Sequence, residues 1–142
     1  MDARTDCIFC HIASGKAPAE RLYEDDATVA FMDINPATDG HCLVIPRRHA
    51  EDIWSLDEED GMAVWRTAHR VARVVREALN ANGLNLLQAS GRVAFQTVFH
   101  YHVHVVPRYS WDDVHLPWIP RAGDPERIAE AAARVRIAID RG

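Results

Sequence analysis

The sequence lacks the features that mark membrane and secreted proteins. No uninterrupted apolar run approaches the ~18 residues of a membrane-spanning helix, and the first residues lack the apolar region of a signal peptide. Only three cysteines are present, an odd number that suits a reducing compartment better than a disulfide framework. We therefore expect a cytoplasmic protein that associates with no membrane.

An excess of positive charge is also missing, as are internal repeats, linkers and low-complexity tracts. The net charge of −5 argues against a nucleic-acid-binding protein, so an anionic substrate must be held by a local arrangement of groups. No glycine-rich Walker loop is present, which excludes kinase-like phosphate binding. A chain of 142 residues can bury a core without disulfides, and we expect one domain over residues 1–142.

The apolar patterns predict five strands and two long helices. Strands are expected at residues 22–24 and 28–33, which form a hairpin, and at residues 41–46, 84–88 and 99–107. A capping box at residues 55–58 predicts the start of a long helix that packs on the sheet and ends at residues 82–83. Asp124 and Pro125 predict the start of a second helix. Its inward-facing residues are expected to be Ile128, Ala131, Ala132 and Val135.

The most unusual stretch is the last predicted strand, in which three histidines occupy every second position. Strand side chains alternate between faces, so His100, His102 and His104 project the same way, about 6.6 Å apart. The opposite face is apolar, with Tyr101, Val103 and Val105. Three imidazoles in register indicate either metal ligation or nucleophilic and acid–base chemistry. One zinc ion can bind two neighbouring histidines of a straight strand but not easily all three, so at least one histidine is left for another role.

Cys7 and Cys10 form a C-x-x-C motif before a short helical turn that Gly15 ends. Such a motif occurs in zinc sites and in redox pairs, but a redox pair normally follows a strand, and only six residues precede this one. Zinc needs two further ligands, which His49 and the histidine strand offer. The residues Cys7, Cys10, His49 and His100 would complete a closed structural site. Two buried thiols without a metal are the alternative.

Several motifs occur together in this chain in a combination typical of one protein family. Their centre is HYHVHVV at residues 100–106, preceded by QTVF at residues 96–99. FMDINP at residues 31–36 and GHCLVIP at residues 40–46 accompany it, with His49 beyond. Together they resemble the histidine triad (HIT) family of nucleotide hydrolases and transferases, and in particular its zinc-binding bacterial members. The resemblance spans residues 7–108 and leaves residues 109–142 as a divergent C-terminal segment and helix.

The resemblance implies an α+β fold with a five-stranded antiparallel sheet and two main helices. Two copies would pair into a homodimer with a continuous ten-stranded sheet. The implied activity is hydrolysis of a phosphoramidate or a (di)nucleoside polyphosphate, in which a nucleoside monophosphate is transferred through a covalent nucleotidyl-histidine. Zinc at Cys7, Cys10, His49 and His100 would be structural, and the chemistry would require no cofactor. Two alternatives stay open: a nucleotide-binding module with little catalysis, and a zinc hydrolase that uses the three histidines as ligands.

The resemblance also assigns roles to individual residues. His102 would be the nucleophile, His104 and His100 would support it, and Thr97 would hold phosphate oxygens and help the leaving group depart. Asp33 would accept hydrogen bonds from ribose hydroxyls, although capping of the following loop is an equally good interpretation. The base pocket would consist of Ile8, Phe9, Ile12, Phe31 and Ile34. Further substrate contacts are predicted at Gln88, Ser90, Gln96 and Val98.

The physical chemistry of imidazole agrees with this interpretation. Imidazole is mostly neutral at pH 7, so it attacks phosphorus without a separate base. A hydrogen bond at one ring nitrogen would aim the lone pair of the other at the substrate. Loop N–H groups and neighbouring imidazoles would then stabilise charge on the phosphoryl oxygens.

Two positions depart from the family pattern. Ala89 stands where the family has an amide side chain, and Phe95 stands where it has a glycine before Gln96. Phe95 either narrows the mouth of the phosphate site or swings outward. His41 and Cys42, in contrast, are interpreted as packing residues.

Overall fold

The computed structural model describes residues 4–115 and 117–142, so the first three residues of the predicted domain lie outside the described residues. Its five strands form one antiparallel sheet in the order β1-β2-β3-β5-β4. The strands are β1 (Arg21–Glu24), β2 (Thr28–Met32), β3 (Cys42–Pro46), β4 (Gly83–Gln88) and β5 (Val103–Arg108). The helices are α1 (Ile8–Ala13), α2 (Glu58–Leu79) and α3 (Pro125–Arg141), with a 3₁₀ turn at Arg92–Ala94. The predicted α+β class and five-stranded antiparallel sheet are confirmed.

Apolar side chains cover both faces of the central strands. On one face, α2 packs through Val64, Ala68, Val71 and Val75 against strand residues such as Ala30 and Val44. On the other face, α1 packs Phe9, Cys10 and Ile12 against Val29, Phe31, Leu43 and Ile45. Because β2 and β3 are buried on both faces, their sequences are apolar from Val29 to Met32 and from Cys42 to Pro46 rather than alternating. The two cores hold α1 on the sheet face opposite α2.

The long helix begins two residues later than the capping box predicts. Asp57 is the N-cap, and its side chain accepts a hydrogen bond from the Glu59 N–H at 2.9 Å. The Ser55 hydroxyl instead accepts a hydrogen bond from the Asp52 N–H, within a separate turn. At the other end, Asn80 adopts the left-handed conformation that stops the helix.

The histidine strand is shorter than predicted, because β5 begins at Val103 and leaves His100 and His102 before it. Val103 is the first residue of β5 to pair with both β3 and β4. Upstream, the carbonyl of Pro46 accepts from the His100 ring rather than from a backbone N–H, and the Tyr101 N–H donates to Ala50 O. The predicted alternation is nevertheless confirmed, since Tyr101, Val103 and Val105 all lie in the core under α2.

Helix α3 begins at Pro125 with Asp124 as its N-cap, as predicted, but its predicted inward face is wrong. Among the described residues, none in α3 is buried, and Ile128 and Val135 are exposed. Helix α2 packs on one sheet face and α1 on the other, and neither core cluster contains a described residue of α3. None of the helices in the described parts of the chain is both long enough and apolar enough to cross a membrane.

Candidate functional site

Four side chains from three parts of the chain converge beside α1. Cys7 is the N-cap of α1, Cys10 lies in its first turn, His49 follows β3, and His100 precedes β5. One ligand atom from each lies within 4.8 Å of all the others. The Cys7 Sγ and His100 Nδ1 atoms are 3.4 Å apart, and Cys10 Sγ lies 3.4 Å from His49 Nδ1 and 3.5 Å from His100 Nδ1.

These separations suit a tetrahedral zinc ion. Zinc bonds of about 2.3 Å to sulfur and 2.0–2.1 Å to nitrogen put sulfur and nitrogen ligands about 3.6 Å apart. The other ring nitrogen of His100 donates its hydrogen to Pro46 O at 2.8 Å, which leaves the Nδ1 lone pair directed at the thiols. The ring of His100 is completely buried, so neither of its nitrogens is free for a substrate. The residues predicted to hold zinc therefore fit this metal.

The His102 ring, unlike that of His100, has one nitrogen without a hydrogen-bond partner among the described residues. Its Nδ1–H donates to the backbone oxygen of His100 at 2.7 Å, so its Nε2 carries the free lone pair. Burial lowers the pKa of His102, which favours the neutral ring, although the hydrogen bond to His100 and the charge of Asp33 act the other way. The Phe9 ring lies 5.2 Å from the His102 ring and 5.4 Å from the Phe31 ring, centroid to centroid.

A cavity of about 430 Å³ opens directly beside His102. Seven of the ten predicted substrate-contact residues line it: Ile8, Phe9, Ile12, Phe31, Asp33, Ile34 and Val98. Thr97 lines it as well, with an exposed side chain. Ile34 is 90% exposed and Ile8 50% exposed, so the rim of the cavity presents apolar surface to solvent. Such a mixture of apolar walls with a few polar groups is typical of small-molecule sites.

Sequence reasoning missed five further lining residues, Pro18, Ala19, Met32, Asn35 and Leu43. Leu43 could have been found from strand register, because it pairs with Phe31 and shares its face. Pro18 and Ala19 lie in the irregular segment between α1 and β1, which carries no periodic signal.

Three predicted substrate contacts lie outside this cavity. The Gln96 side chain is buried, accepts from the Gly91 N–H at 2.7 Å and donates to the backbone oxygens of Glu51 and Val98. Its amide therefore holds the 91–98 loop. Gln88 and Ser90 bond to one another at 3.1 Å, and the Ser90 hydroxyl also accepts from the Ile53 N–H.

Asp33 combines both roles considered for it. One carboxylate oxygen caps the following loop by accepting from the Asn35 N–H at 2.8 Å. The other lies 3.4 Å from His41 Nε2, at the edge of the cavity. The Asp33 side chain is 16% exposed and lines the cavity.

The two departures from the family pattern also have a structural description. Phe95 is 76% exposed and does not line the cavity, so its ring swings outward rather than narrowing the mouth. It adopts a left-handed conformation with φ of 74°, which glycine adopts at no steric cost. Ala89 is buried and offers no polar group.

The three histidines do not converge on a single position in the described residues. His100 joins the cysteine cluster, His104 joins a second cluster with Asp33 and His41, and His102 belongs to neither. His41 is buried, as expected for a packing residue, and its Nε2 also lies 2.9 Å from His104 Nδ1. Cys42, by contrast, is fully buried in the core, and burial raises its pKa to about 12.

Comparison with known proteins identifies the family. The HIT domain family model matches residues 14–111, about two-thirds of the chain. The chain belongs to the HIT family. A HIT relative, Protein hit of Bacillus subtilis, is 40% identical over 138 residues, which cover 95% of each chain. Membership of the HIT family supports a nucleotide-binding or hydrolase type of function in general.

Two solved HIT structures are also similar to this chain. A zinc-bound histidine triad family protein from Mycobacterium smegmatis is 40% identical, with a TM-score of 0.74, and the match covers 94% of this chain and 97% of that one. A histidine triad nucleotide-binding protein from Candida albicans is 26% identical, with a TM-score of 0.85, over 96% of this chain and 99% of that one. The zinc-bound HIT structure and the cluster at Cys7, Cys10, His49 and His100 together support zinc binding here.

Proposed function

We propose that the protein is a nucleotide hydrolase that cleaves a nucleoside monophosphate from a phosphoramidate or a (di)nucleoside polyphosphate, with His102 as the nucleophile. The observation that carries this proposal is the orientation of the His102 ring. Its Nδ1–H is committed to His100 O at 2.7 Å, and its Nε2 lone pair is free beside a cavity of nucleotide-compatible size. A neutral, rigidly held imidazole of this kind attacks phosphorus without a separate base.

The lining of the cavity supports a nucleoside as the bound group. Ile8, Phe9 and Ile34 offer apolar surface for the flat base, and Asp33 keeps one carboxylate oxygen for the ribose hydroxyls. In this orientation the 5′-phosphate reaches His102 and Thr97. The name of the Candida albicans relative, a histidine triad nucleotide-binding protein, agrees with this assignment.

The proposed reaction has two steps. In the first, the His102 Nε2 lone pair forms a nitrogen–phosphorus bond, the bond from phosphorus to the leaving amine or phosphate breaks, and the leaving group takes the electron pair and a proton from solvent water. In the second, a water oxygen attacks phosphorus, the nitrogen–phosphorus bond breaks, and its electron pair returns to Nε2. The proton from water passes to solvent. The Thr97 hydroxyl and the neighbouring His104 ring would stabilise charge on the phosphoryl oxygens.

In this scheme zinc would have a structural role and would be bound by Cys7, Cys10, His49 and His100. When bound, it cross-links the start of α1 to the segments at His49 and His100 and takes no part in the chemistry. The His100 backbone oxygen in turn orients His102, so the support from His100 acts through its carbonyl rather than its ring.

The proposal is tested by replacing His102 with Ala and measuring hydrolysis of an adenosine phosphoramidate. Turnover should fall by at least about 10⁴-fold, because the covalent step loses its nucleophile. Zinc content and melting temperature should match wild type. His69→Ala removes an exposed imidazole on α2 and should leave turnover unchanged. Full activity of the His102 variant would refute the assignment.

A nucleotide-binding module with little catalysis is the second candidate, and Ala89 favours it. The position where the family has an amide side chain is apolar here, and Gln88 and Ser90, its neighbours, are bonded to each other. Turnover of the phosphoramidate and affinity for AMP, measured on the same sample, distinguish the two. Tight AMP binding without a burst of product favours the module.

We also propose a homodimer joined through β4, in a protein of the cytoplasm without nucleic-acid or membrane partners. β4 pairs only with β5 among the described strands, so its other edge is open to pairing. Leu86 and Leu87 on this strand are both exposed, which supports an interface there. Cys7, Cys10 and Cys42 form no disulfide, which agrees with a reducing compartment.

A further inference from the structure

A second cavity adjoins the one beside His102. Its volume is about 490 Å³, and three residues, Ile8, Thr97 and Val98, line both cavities. His102 lines the first of the two but not the second. Thr97, the residue proposed to hold the phosphate, therefore lies where the two cavities meet.

The geometry of displacement at phosphorus gives this second cavity a role. The attacking and leaving atoms lie roughly in line on opposite sides of the phosphorus atom. A nucleotide with its base in the first cavity and its phosphate between His102 and Thr97 directs its leaving group away from His102. Because Thr97 borders both cavities, a group that leaves on the Thr97 side enters the second cavity. The charges of this cavity then decide which leaving group fits.

Arg92 is the cation of this cavity that is free to bind a ligand. It begins the 3₁₀ turn and is exposed, and its guanidinium carbon lies 4.7 Å from the centroid of the Phe99 ring. Stacking on a ring orients the plane of a guanidinium and leaves its N–H groups uncommitted. The salt bridges among the described residues do not include Arg92.

The other charged groups of the cavity are Arg4, Asp6 and Glu51. Arg4 and Asp6 pair with each other at 3.4 Å, so their charges largely cancel. Glu51 is exposed, and it is likewise absent from the salt bridges of the described residues. The cavity therefore holds one unpaired guanidinium and one unpaired carboxylate, which would favour opposite kinds of leaving group.

Two arguments favour an anionic leaving group. Arg92 belongs to the same loop as Thr97, and the Gln96 side chain braces this loop through the Gly91 N–H and the Glu51 backbone oxygen. The loop and the stacking on the ring thus fix the guanidinium relative to the phosphate. In addition, cleavage of a phosphoanhydride develops negative charge on the leaving oxygen, which a guanidinium stabilises.

We propose that the second cavity is the leaving-group subsite, and that Arg92 selects leaving groups that begin with a phosphate over uncharged amines. The preferred substrate class is then a nucleoside polyphosphate. This inference rests on the proposed nucleotide site beside His102 and adds the class of leaving group. Arg92 would donate hydrogen bonds to the phosphate on the far side of the scissile bond, in the forked geometry that suits phosphate oxygens.

Binding tests the subsite without turnover. The zinc-loaded protein is titrated with AMP and with adenosine 5′-(α,β-methylene)diphosphate, whose carbon bridge between the phosphorus atoms resists hydrolysis. Wild type should bind the diphosphate analogue more tightly than AMP. Arg92→Gln should weaken binding of the analogue roughly tenfold and that of AMP less than about twofold, because the analogue alone reaches the second cavity. Arg92→Lys keeps the charge without the fork and should retain part of the preference.

Arg73→Gln is the matched control for the loss of one positive charge. It removes an exposed arginine of α2 that lines neither cavity, and it should bind both ligands as wild type does. All variants should melt near wild type. An equal loss for both ligands in Arg92→Gln, or no loss for either, overturns the inference.

Glu51→Gln distinguishes a subsite for anions from one for cations. It should strengthen binding of the diphosphate analogue about two- to threefold, because it removes a like charge from the cavity. Weaker binding of the analogue in Glu51→Gln, with no effect of Arg92→Gln, would overturn the assignment of an anionic leaving group.

Turnover separates this inference from the hydrolase proposal. In Arg92→Gln, kcat/KM should fall roughly 10- to 100-fold for diadenosine triphosphate and change little for adenosine phosphoramidate, whose leaving group is ammonia. An equal fall for both substrates would place Arg92 at the AMP moiety and overturn the inference alone. If wild type hydrolyses neither substrate, the hydrolase proposal fails, and the ratio of the two affinities still decides whether the subsite exists.

Discussion

At the residue scale, Phe95 carries local backbone strain. Its φ of 74° lies in the left-handed region, where a side chain with a Cβ costs about 1–2 kcal/mol relative to glycine. The ring does not compensate, since it is exposed to solvent. Phe95→Gly should therefore raise the free energy of unfolding by roughly 0.5–1 kcal/mol, after the greater freedom of glycine in the unfolded chain is subtracted. Denaturant unfolding measures this change.

Phe95→Ala is the matched control, because it removes the same ring and keeps a Cβ at positive φ. We expect it to be about 1 kcal/mol less stable than Phe95→Gly. Equal stabilities of the two variants would show that the backbone at residue 95 is not strained.

His104 makes stability depend on pH. Burial, and to a smaller extent the neighbouring His102 and His41, lower its pKa to about 4, while Asp33 acts in the opposite direction. In the unfolded chain the pKa is near 6.5, so between pH 6.5 and pH 4 the unfolded state binds the proton and the folded state does not. The contribution of neutral His104 is therefore complete above pH 6.5 and decreases as the pH falls.

The free energy of unfolding of wild type, relative to that of His104→Gln, should decrease as the pH falls from 7 to 5. The slope should be below ~1.4 kcal/mol per pH unit, the limit for one fully excluded proton. Urea unfolding of both proteins at each pH measures it, and acid effects on the zinc site are common to both and cancel. A constant difference would mean that His104 titrates in the fold as it does in solution.

Residue types and spacing predict which side chains meet at the site, but not the hydrogen bonds that decide their chemistry. Strict alternation was enough to separate His100, His102 and His104 from the core-facing Tyr101 and Val103. It could not reveal that Pro46 O, His100 O and the Ala37 N–H each fix a different ring. Pro46 is 54 residues from His100, whereas the His100 carbonyl and the Ala37 N–H lie only two and four residues from the rings they bind. Those two bonds depend on the backbone direction of irregular segments, which residue type and spacing do not predict. Strand register offered one missed signal, because it places Asp33 opposite His41.

At the element scale, the zinc cluster holds α1 against the histidine segment. Cys10→Ser should abolish stoichiometric zinc and lower the free energy of unfolding by at least about 2.7 kcal/mol, the linkage value for a metal at 100 times its Kd. Because α1 carries Ile8, Phe9 and Ile12, we also expect AMP affinity to fall roughly tenfold, or about 1.4 kcal/mol. Metal analysis, calorimetric unfolding and AMP titration measure the three effects.

Cys42→Ala is the control for loss of a cysteine. Cys42 is fully buried on the α2 side of the sheet and lies outside the zinc cluster. The Cys42→Ala variant should keep wild-type zinc content and AMP affinity, even if the substitution changes core packing. Full zinc content in Cys10→Ser would contradict the assignment of the cluster.

Burial could be predicted for the elements that pack on one another in this chain, but not for α3. Periodicity correctly indicated an amphipathic helix with Asp124 and Pro125 at its start. It shows that one face is apolar, however, and cannot show whether another element of the same chain covers that face. The start of β5 could not be predicted either, because it depends on neighbouring strands. The backbone pairing of β5 begins at Val103, where β3 and β4 both provide partners.

At the scale of the whole molecule, the two edges of the sheet differ in a way that favours assembly through one of them. β1 has four residues and a register shift between Arg21 and Tyr23, features that protect an edge from pairing. β4 has six residues in unbroken register, with Leu86 and Leu87 exposed. Two copies related by a two-fold axis can pair β4 with β4 in antiparallel orientation and bury both leucines.

We therefore expect light scattering after size exclusion to give twice the chain mass of 16.0 kDa at micromolar concentration. Leu86→Arg places a charge in the proposed seam and should weaken dimerisation at least tenfold, or about 1.4 kcal/mol. Leu22→Arg introduces the same charge on β1, at a position of comparable exposure on the other edge, and should remain dimeric. A wild-type mass of 16.0 kDa would reject the dimer, while dissociation by Leu22→Arg but not by Leu86→Arg would move the interface to β1.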